Sequence, residues 1–276
     1  MCIRDRFNPA MGIEVFGGWL NFPKLMEGMP ETNAAQTAPL ALKVALDEVV
    51  LGENKLTEFR ADLISVPQLS GPFSAKVNGV AQVEAVLSPL NGRTALEVTS
   101  EQAGRLLTSV GALQSATGGQ LRLNLTPTQQ MGETDGLLEI RNVKVQKAPV
   151  FAELLNAISI VGLLEQLTGP GILLSEVDAK FRSTEEQIIV ESASAFGPSI
   201  GLSLDGYYNR KAEILDMQGV LSPIYFINGI GSVLTRKGDG LFGFSFNLDG
   251  KKGQPSLEVN PLSLSLIHIS EPTRPY

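Results

Sequence analysis

The sequence predicts a mainly β fold: an elongated, curved antiparallel sheet that forms an open groove or a partial barrel and carries two or three α-helices. First, apolar and polar residues alternate along most of the chain, which is typical of strands with one apolar and one solvated face. Second, turn residues separate these runs at short intervals, which favours antiparallel neighbours over βαβ units. Third, three segments replace the alternation with a helical spacing.

Strands are predicted where the alternation is longest. Within residues 40–47, leucine and valine occupy every second position, and within residues 120–126 three leucines alternate with polar residues. The same pattern predicts strands within Phe59–Ser65, Ser74–Leu87, Leu138–Val145, Glu176–Arg182, Gln187–Ser192, Ile200–Tyr208, Ile214–Leu221, Leu241–Leu248 and Ser256–Val259. Turns are predicted at Gly71–Pro72, Asn91–Gly92, Gly118–Gly119, Gly197–Pro198, Asn209–Arg210 and Asp249–Gly250.

Two of the three helical segments are short. Ser100–Val110 predicts a helix that Thr99 or Ser100 caps through its hydroxyl group. Pro223–Leu234 predicts a further helical stretch with glycines inside it. Because each such glycine costs about 1 kcal/mol relative to alanine, a broken turn is an alternative there.

The segment Pro149–Thr168 carries the strongest helical pattern. Pro149 suits a first turn, Gly162 is expected to bend the helix, and Gly169–Gly171 is expected to end it. Its polar face has no Lys or Arg, which argues against binding to an anionic membrane surface. Two interpretations stay open: the helix packs its apolar side on the sheet, or it covers a lipid-binding groove. Apolar residues recur at three- and four-residue spacing at Phe151, Leu154, Leu155, Ile158, Val161, Leu164 and Leu167.

The two ends of the chain match translations of the two strands of a sequencing adapter. We expect residues 1–6 and 264–276 to be adapter artefacts, and such segments are set aside before the fold is considered. The remaining residues are expected to be an internal fragment of a longer protein. They divide into a repetitive antiparallel β segment, 7–148, and a region with helices and β-hairpins, 149–263.

The composition disfavours several classes of function. The single Cys and the single His both lie in the predicted adapter segments. Zinc sites draw on Cys and His, and nucleophilic catalysis usually needs Cys, or Ser with a His base. The net charge of −7 offers no electrostatic footprint for nucleic acid. We therefore expect no enzyme activity, no metal, no cofactor and no nucleic-acid partner.

Carboxylate chemistry is the remaining enzymatic alternative. Glu185 and Glu186 are adjacent, and Asp205, Glu213 and Asp216 lie within one predicted hairpin. Paired acids act as acid and base only where their environments separate their pKa values. Turns and hairpin surfaces do not provide such environments, so we interpret both groups as surface charge.

The C-terminal region resembles a known family. Three stretches carry the resemblance best: the helical run from Phe151 to Ile172, the strand Glu176–Phe181, and the final strand with its Val259-Asn260-Pro261-Leu262-Ser263 ending. Together with intervening motifs such as Leu215–Pro223, they resemble the AsmA-like C-terminal region of YhdP-type proteins, within the AsmA/TamB-related superfamily of bridge-like lipid transporters. The resemblance covers residues 149–263 well and residues 39–145 loosely.

The resemblance implies a large Gram-negative envelope protein that is periplasmic and anchored in the inner membrane through an N-terminal part missing here. It implies that phospholipid acyl chains travel between the inner and outer membranes along an apolar β-groove, and that partners are those membranes or their proteins. It carries over no catalytic residue. We assign Phe151, Leu154, Leu155 and Ile158 as lipid-contacting residues at the groove mouth.

Two other functions stay open. The first is a structural scaffold for envelope or outer-membrane assembly, in which helices fill the apolar face and leave no lipid path. The second is a carboxylate-dependent hydrolase. An open apolar groove would favour the lipid conduit, a filled core would favour the scaffold, and converging acids in a pocket would favour the hydrolase.

Overall fold

The part of the chain that the structure describes forms one open β-sheet with three short helices. The computed structural model describes residues 4–8, 12–22, 39–65, 68–223, 243–251 and 254–260. Within these residues the prediction of a mainly β, curved and unclosed sheet is confirmed. The strands are β1 (Arg4–Asn8), β2 (Gly12–Phe16), β3 (Trp19–Asn21), β4 (Ala41–Leu51), β5 (Asn54–Ile64), β6 (Gly71–Val77), β7 (Ala81–Leu90), β8 (Arg93–Ser100), β9 (Ser115–Pro127), β10 (Thr134–Gln146), β11 (Ile172–Ser183), β12 (Gln187–Phe196), β13 (Ile200–Asn209), β14 (Ile214–Pro223), β15 (Phe244–Lys251) and β16 (Gln254–Asn260).

The strands follow one another in chain order across the sheet. From β4 to β16 every neighbouring pair is antiparallel, both where a short turn joins the strands and where helices lie between them, as between β8 and β9 and between β10 and β11. Towards one edge β2 and β3 both lie parallel to β4, β2 beside its first half and β3 beside its second, and β1 pairs antiparallel with β2 as the last strand on that side. The opposite edge is β16, so the described part of the sheet does not close on itself.

Several details of the strand prediction need correction. The prediction omits β1–β3 and β8, and it reads Ser74–Leu87 as one run where the structure has β6, a turn at 78–80, and β7. Three predicted turns lie inside strands instead: Gly71–Pro72 in β6, Gly118–Gly119 in β9 and Asp249–Gly250 in β15. Gly118 and Gly119 have φ of 68° and 79°, so they form an irregularity within β9 that only glycine adopts readily. β1 includes Arg4–Arg6, and the adapter origin of both ends stays a prediction.

The helices are α1 (Ala103–Ser109), α2 (Pro149–Ala157) and α3 (Val161–Thr168). The predicted short helix is confirmed as α1, but its predicted cap is wrong. Residue Gln102 occupies the cap position without a side-chain hydrogen bond. The Ser100 hydroxyl instead donates to the carbonyl of Gln82 (2.6 Å) and accepts from the Gln102 N–H (3.2 Å), which ties the chain to β7 just before the helix begins.

The prediction of one long helix over Pro149–Thr168 is also wrong. The helix stops after Ala157 and restarts at Val161, and Ser159 between them has φ of 59°. The break is therefore not at Gly162, which lies inside α3. The placement of Pro149 in the first turn and of Gly169 at the end is confirmed. The predicted helix at Pro223–Leu234 lies outside the described residues, apart from Pro223 itself, which ends β14.

The two faces of the sheet differ in chemistry. One face, which we call the apolar face, carries aliphatic side chains from strand to strand; Leu123, for example, lies beside Val98 on β8 and Leu138 on β10. The other face, the charged face, carries ion pairs between neighbouring strands, including Arg141–Asp178 (2.9 Å). This hydrogen bond, followed by the nearby carboxylate charges, raises the pKa of Arg141 against the opposing effect of burial.

Bulges keep apolar side chains on the same face where simple alternation would not. Ile140 and Val143 are three residues apart, yet both belong to the same buried core. Asn142 between them adopts φ of 56°, and this left-handed residue flips the alternation. Bulges also bend strands and increase their twist, which contributes to the curvature of the sheet.

Helices cover two regions of the apolar face. The first, the N-terminal core, lies beneath α1, and this helix packs on β7, β9 and β10. Ala103 and Leu106 of α1 are buried in this core. The second, the C-terminal core, lies beneath α2 and α3 and includes the fully buried Leu155, Leu163 and Leu167. Because α3 packs on β10 and β11 while α2 packs on β16, this helical pair bridges distant strands of the curved sheet.

Candidate functional site

An apolar cleft lies on the apolar face between the two helix-covered cores. Its volume is about 520 Å³, within the range of about 300–1,000 Å³ that is typical of small-molecule sites. One wall is the loop Gly111–Gln114, which follows α1, and the other is the segment Ala148–Phe151, which begins α2. We refer to this site as the apolar cleft.

The floor of the apolar cleft comes from alternate residues of several strands. On β13, Ile200, Leu202 and Leu204 all contribute, because side chains two residues apart share a face. Strands β10, β11, β15 and β16 add further aliphatic side chains and Phe246. Among the described lining residues, Gln114 at the rim carries the sole polar side chain.

A glycine shapes the floor beside Phe246. Gly219 on β14 lies between Leu204 and Phe246 in the strand register. A Cβ atom at Gly219 would lie 2.5 Å from the ring of Phe246, so the ring lies over a position that has no side chain. The glycine therefore lets the ring rest low on the sheet.

The cleft contains no ionisable side chain among its described lining residues. Among the described residues, four groups have clearly raised pKa values, and each pairs with an acid outside the cleft. Hydrogen bonds to Glu191 and to Asp135, followed by charge attraction, raise the pKa values of Lys180 and Arg182 respectively, and Glu186 raises the pKa of Lys211 in the same way. A charged ligand would thus find no opposite charge inside the cleft.

The four residues assigned from the sequence fall into two groups. Phe151 and Leu154 line the apolar cleft. Leu155 is fully buried and belongs to the C-terminal core, and Ile158 packs against that core without lining the cleft. That any of them contacts lipid stays a prediction. Sequence reasoning missed the loop wall Gly111–Gln114 and did not connect the floor strands to a site; the run of alternating leucines in β13 was the available signal.

A second concavity, of about 580 Å³, lies on the charged face over β2–β8. Its lining mixes both signs of charge, with Lys43 and Arg60 among acidic residues that include Glu97. Part of this charge is already engaged: Arg60 donates to the carbonyl of Phe59 (2.9 Å), and Glu97 pairs with Arg122 (3.2 Å). It is therefore a less defined site than the apolar cleft.

The carboxylates considered from the sequence lie at the surface. Glu185 and Glu186 occupy the turn between β11 and β12, and Glu186 is exposed and pairs with Lys211 at 2.9 Å. Asp205 accepts a hydrogen bond from Gln218 at 2.8 Å. Over the described ranges, no group of three or more His, Cys, Asp or Glu side chains is arranged to hold a metal ion. In the same ranges, no helix has the length and apolarity to cross a membrane.

Comparison with known proteins identified no relative. No family model matches the chain, and neither a curated protein nor a solved structure is similar to it. The resemblance to the AsmA-like C-terminal region accordingly stays a prediction drawn from the sequence.

Proposed function

We propose that this chain is a non-enzymatic, lipid-binding segment whose apolar cleft takes up hydrocarbon chains. One observation carries the proposal: the apolar cleft of about 520 Å³ between α1 and α2 is lined almost wholly by aliphatic and aromatic side chains. Concave apolar sites of this size are typical of ligand binding in proteins.

The physical chemistry of the cleft selects long hydrocarbon chains. Each buried methylene group contributes about 0.8 kcal/mol, so ten contribute roughly 8 kcal/mol. Association itself costs about 4–15 kcal/mol, so short chains would gain too little to bind. A charged or strongly polar ligand would lose its hydration inside the cleft and gain no partner in return.

The biological role in this proposal comes from the resemblance to YhdP-type proteins. We propose that the segment belongs to a periplasmic protein anchored in the inner membrane, and that it conducts phospholipids between the inner and outer membranes. The apolar cleft supports this role because it offers an acyl chain an apolar surface away from water.

A structural scaffold is the second candidate, and the two helix-covered cores favour it. Leu155, Leu163 and Leu167 are fully buried beneath α2 and α3, as expected of a sheet that uses its apolar face for its own packing. The scaffold differs from the conduit in one respect: it requires no ligand in the apolar cleft.

The experiment that separates these candidates compares one leucine on each face. Leu204 lies in the floor of the apolar cleft. Leu137 is exposed on β10 and shares the charged face with Asp135 and Glu139, which lie two residues before and after it. We expect Leu204→Gln to weaken the binding of a dansyl-labelled fatty acid by roughly 10- to 100-fold, since it removes apolar surface and adds an amide without a partner. Leu137→Gln should leave binding unchanged.

Binding is measured by the increase in dansyl fluorescence, and the fold of each variant is checked by circular dichroism. Native mass spectrometry of the purified chain should also show bound phospholipid. If the wild-type chain binds neither probe nor phospholipid, or if both glutamine variants bind the probe as tightly as wild type, the conduit is wrong and the scaffold is preferred.

A further inference from the structure

We infer that the apolar cleft holds one hydrocarbon chain at a time, with the polar end of the lipid outside at the rim that carries Gln114. This inference rests on the proposed function and narrows it. It concerns how many chains the site accepts and which way they enter.

The volume of the cleft sets the number of chains. A methylene group occupies about as much space as a water molecule, about 30 Å³. The 520 Å³ of the cleft therefore accommodates roughly 17 groups of that size. This corresponds to one long acyl chain, so the second chain of a diacyl lipid would stay outside.

The walls of the cleft pack against the two cores, so widening it to admit a second chain would cost free energy. Leu113 on the loop wall and Leu174 on the floor pack against both cores. On the floor, Ile172 and Ile200 are fully buried. Widening the cleft would separate these contacts and expose apolar surface to water.

The chemistry of the lining sets the orientation. An ionised or zwitterionic head group inside the cleft would lose its hydration without gaining a charged or hydrogen-bonding partner. Gln114 is exposed at the rim, and its amide can both donate and accept hydrogen bonds. The head group therefore stays at the rim while the hydrocarbon chain points inward.

The number of chains is tested by native mass spectrometry with palmitoyl-lysophosphatidylcholine. We expect one lysolipid per protein chain, and no second one at higher concentration. Across a series of lysolipids, affinity should rise about fourfold per methylene group and level off near 17 groups. Two bound lysolipids would overturn the single-chain inference while the proposed function stands; no binding of any lysolipid would overturn the proposed function itself.

The orientation is tested by Gln114→Leu, with Gln130→Leu in the β9–β10 turn as the matched control. Loss of one hydrogen bond at the rim should weaken lysolipid binding by about 2- to 12-fold. Dodecane has no head group, so its binding should be unaffected by either variant. Unchanged lysolipid binding in Gln114→Leu, or an equal loss for dodecane, would overturn the proposed orientation.

Discussion

Replacing Gly104 with alanine tests how closely α1 lies on the sheet. A Cβ atom at Gly104 would lie 2.6 Å from the carbonyl carbon of Ala116 and from the Cα of Thr117, and it would also meet the Thr117 amide nitrogen. These are backbone atoms of β9, which cannot rotate away as a side chain could. The helix must therefore move outward and loosen the packing of Ala103 and Leu106, which are buried in the N-terminal core.

The magnitude follows from two opposing effects. Overpacking a well-packed core costs about 1–3 kcal/mol, and sometimes more, whereas replacing glycine by alanine inside a helix contributes about 1 kcal/mol of stabilisation. The strain should prevail, so we expect Gly104→Ala to lower the free energy of unfolding by up to about 2 kcal/mol. Gly162 in α3 is the matched control, because a Cβ atom there would have no neighbour within 4 Å. Gly162→Ala should raise the free energy of unfolding by up to about 1 kcal/mol.

The assay is urea denaturation at 25 °C, followed by circular dichroism and compared through the unfolding midpoint at constant slope. The opposite signs of the two variants are the decisive result. If Gly104→Ala is as stable as wild type or more stable, the close contact between α1 and β9 is wrong. If Gly162→Ala is also destabilising, helix propensity does not determine the effect of this substitution on the free energy of unfolding.

Two further predictions concern the C-terminal core and the charged face. Leu155→Ala should cost about 2–5 kcal/mol because it empties a fully buried position, whereas Phe151→Ala should mainly weaken binding of the dansyl probe; equal effects of both variants on binding would contradict the assignment of Leu155 to the core. The pKa of Lys180 lies above its usual 10.5, so the stabilisation from its pair with Glu191 is complete below pH 10.5 and is lost as the pH rises through the raised pKa. The stability difference between wild type and Lys180→Met, from urea denaturation at several pH values, should therefore be constant near neutral pH and shrink in the alkaline range; a difference that grows there would contradict the pairing.

The sheet was predictable because its signal is local. In β13, leucines at 202 and 204 alternate with polar neighbours, and the pattern alone assigns them to one face. The order of strands follows from short turns, of which Asn91–Gly92 is confirmed between β7 and β8. The predicted turn at Gly118–Gly119 failed because glycines with positive φ serve bulges as well as turns.

The break between α2 and α3 was not predictable from local spacing. Apolar residues recur without interruption from Phe151 to Leu167, so the sequence indicates one helix. In the structure, the N–H of Ile160 bonds back to the carbonyl of Leu155 (3.0 Å), which turns the chain at Ser159. Because the chain turns there, both short helices bury leucines in the same core. The sheet surface that they pack against comes from distant strands, so the spacing within the segment does not reveal it.

The apolar cleft was half predictable for a related reason. Phe151 and Leu154 share a helix face, which sequence spacing reveals, but the floor depends on which way each strand's side chains point after a bulge. Val143 lies two residues after Arg141, so strict alternation would place both side chains on the charged face. Its position in the cleft floor depends on the left-handed conformation of Asn142.

This dependence on bulges connects the fold to the proposed function. Without the reversal at Asn142, the apolar face of β10 would end at Ile140, and the part of the cleft floor next to α2 would present polar side chains. In β5 the same device occurs at Glu58, where φ is 53° and Leu56 and Phe59 on either side both pack against the N-terminal core. Left-handed residues within strands are uncommon because they are strained. The reversal at Asn142 serves both uses of the apolar face, because Val143 belongs to the N-terminal core beneath α1 and also lines the apolar cleft, whereas the reversal at Glu58 serves the core alone.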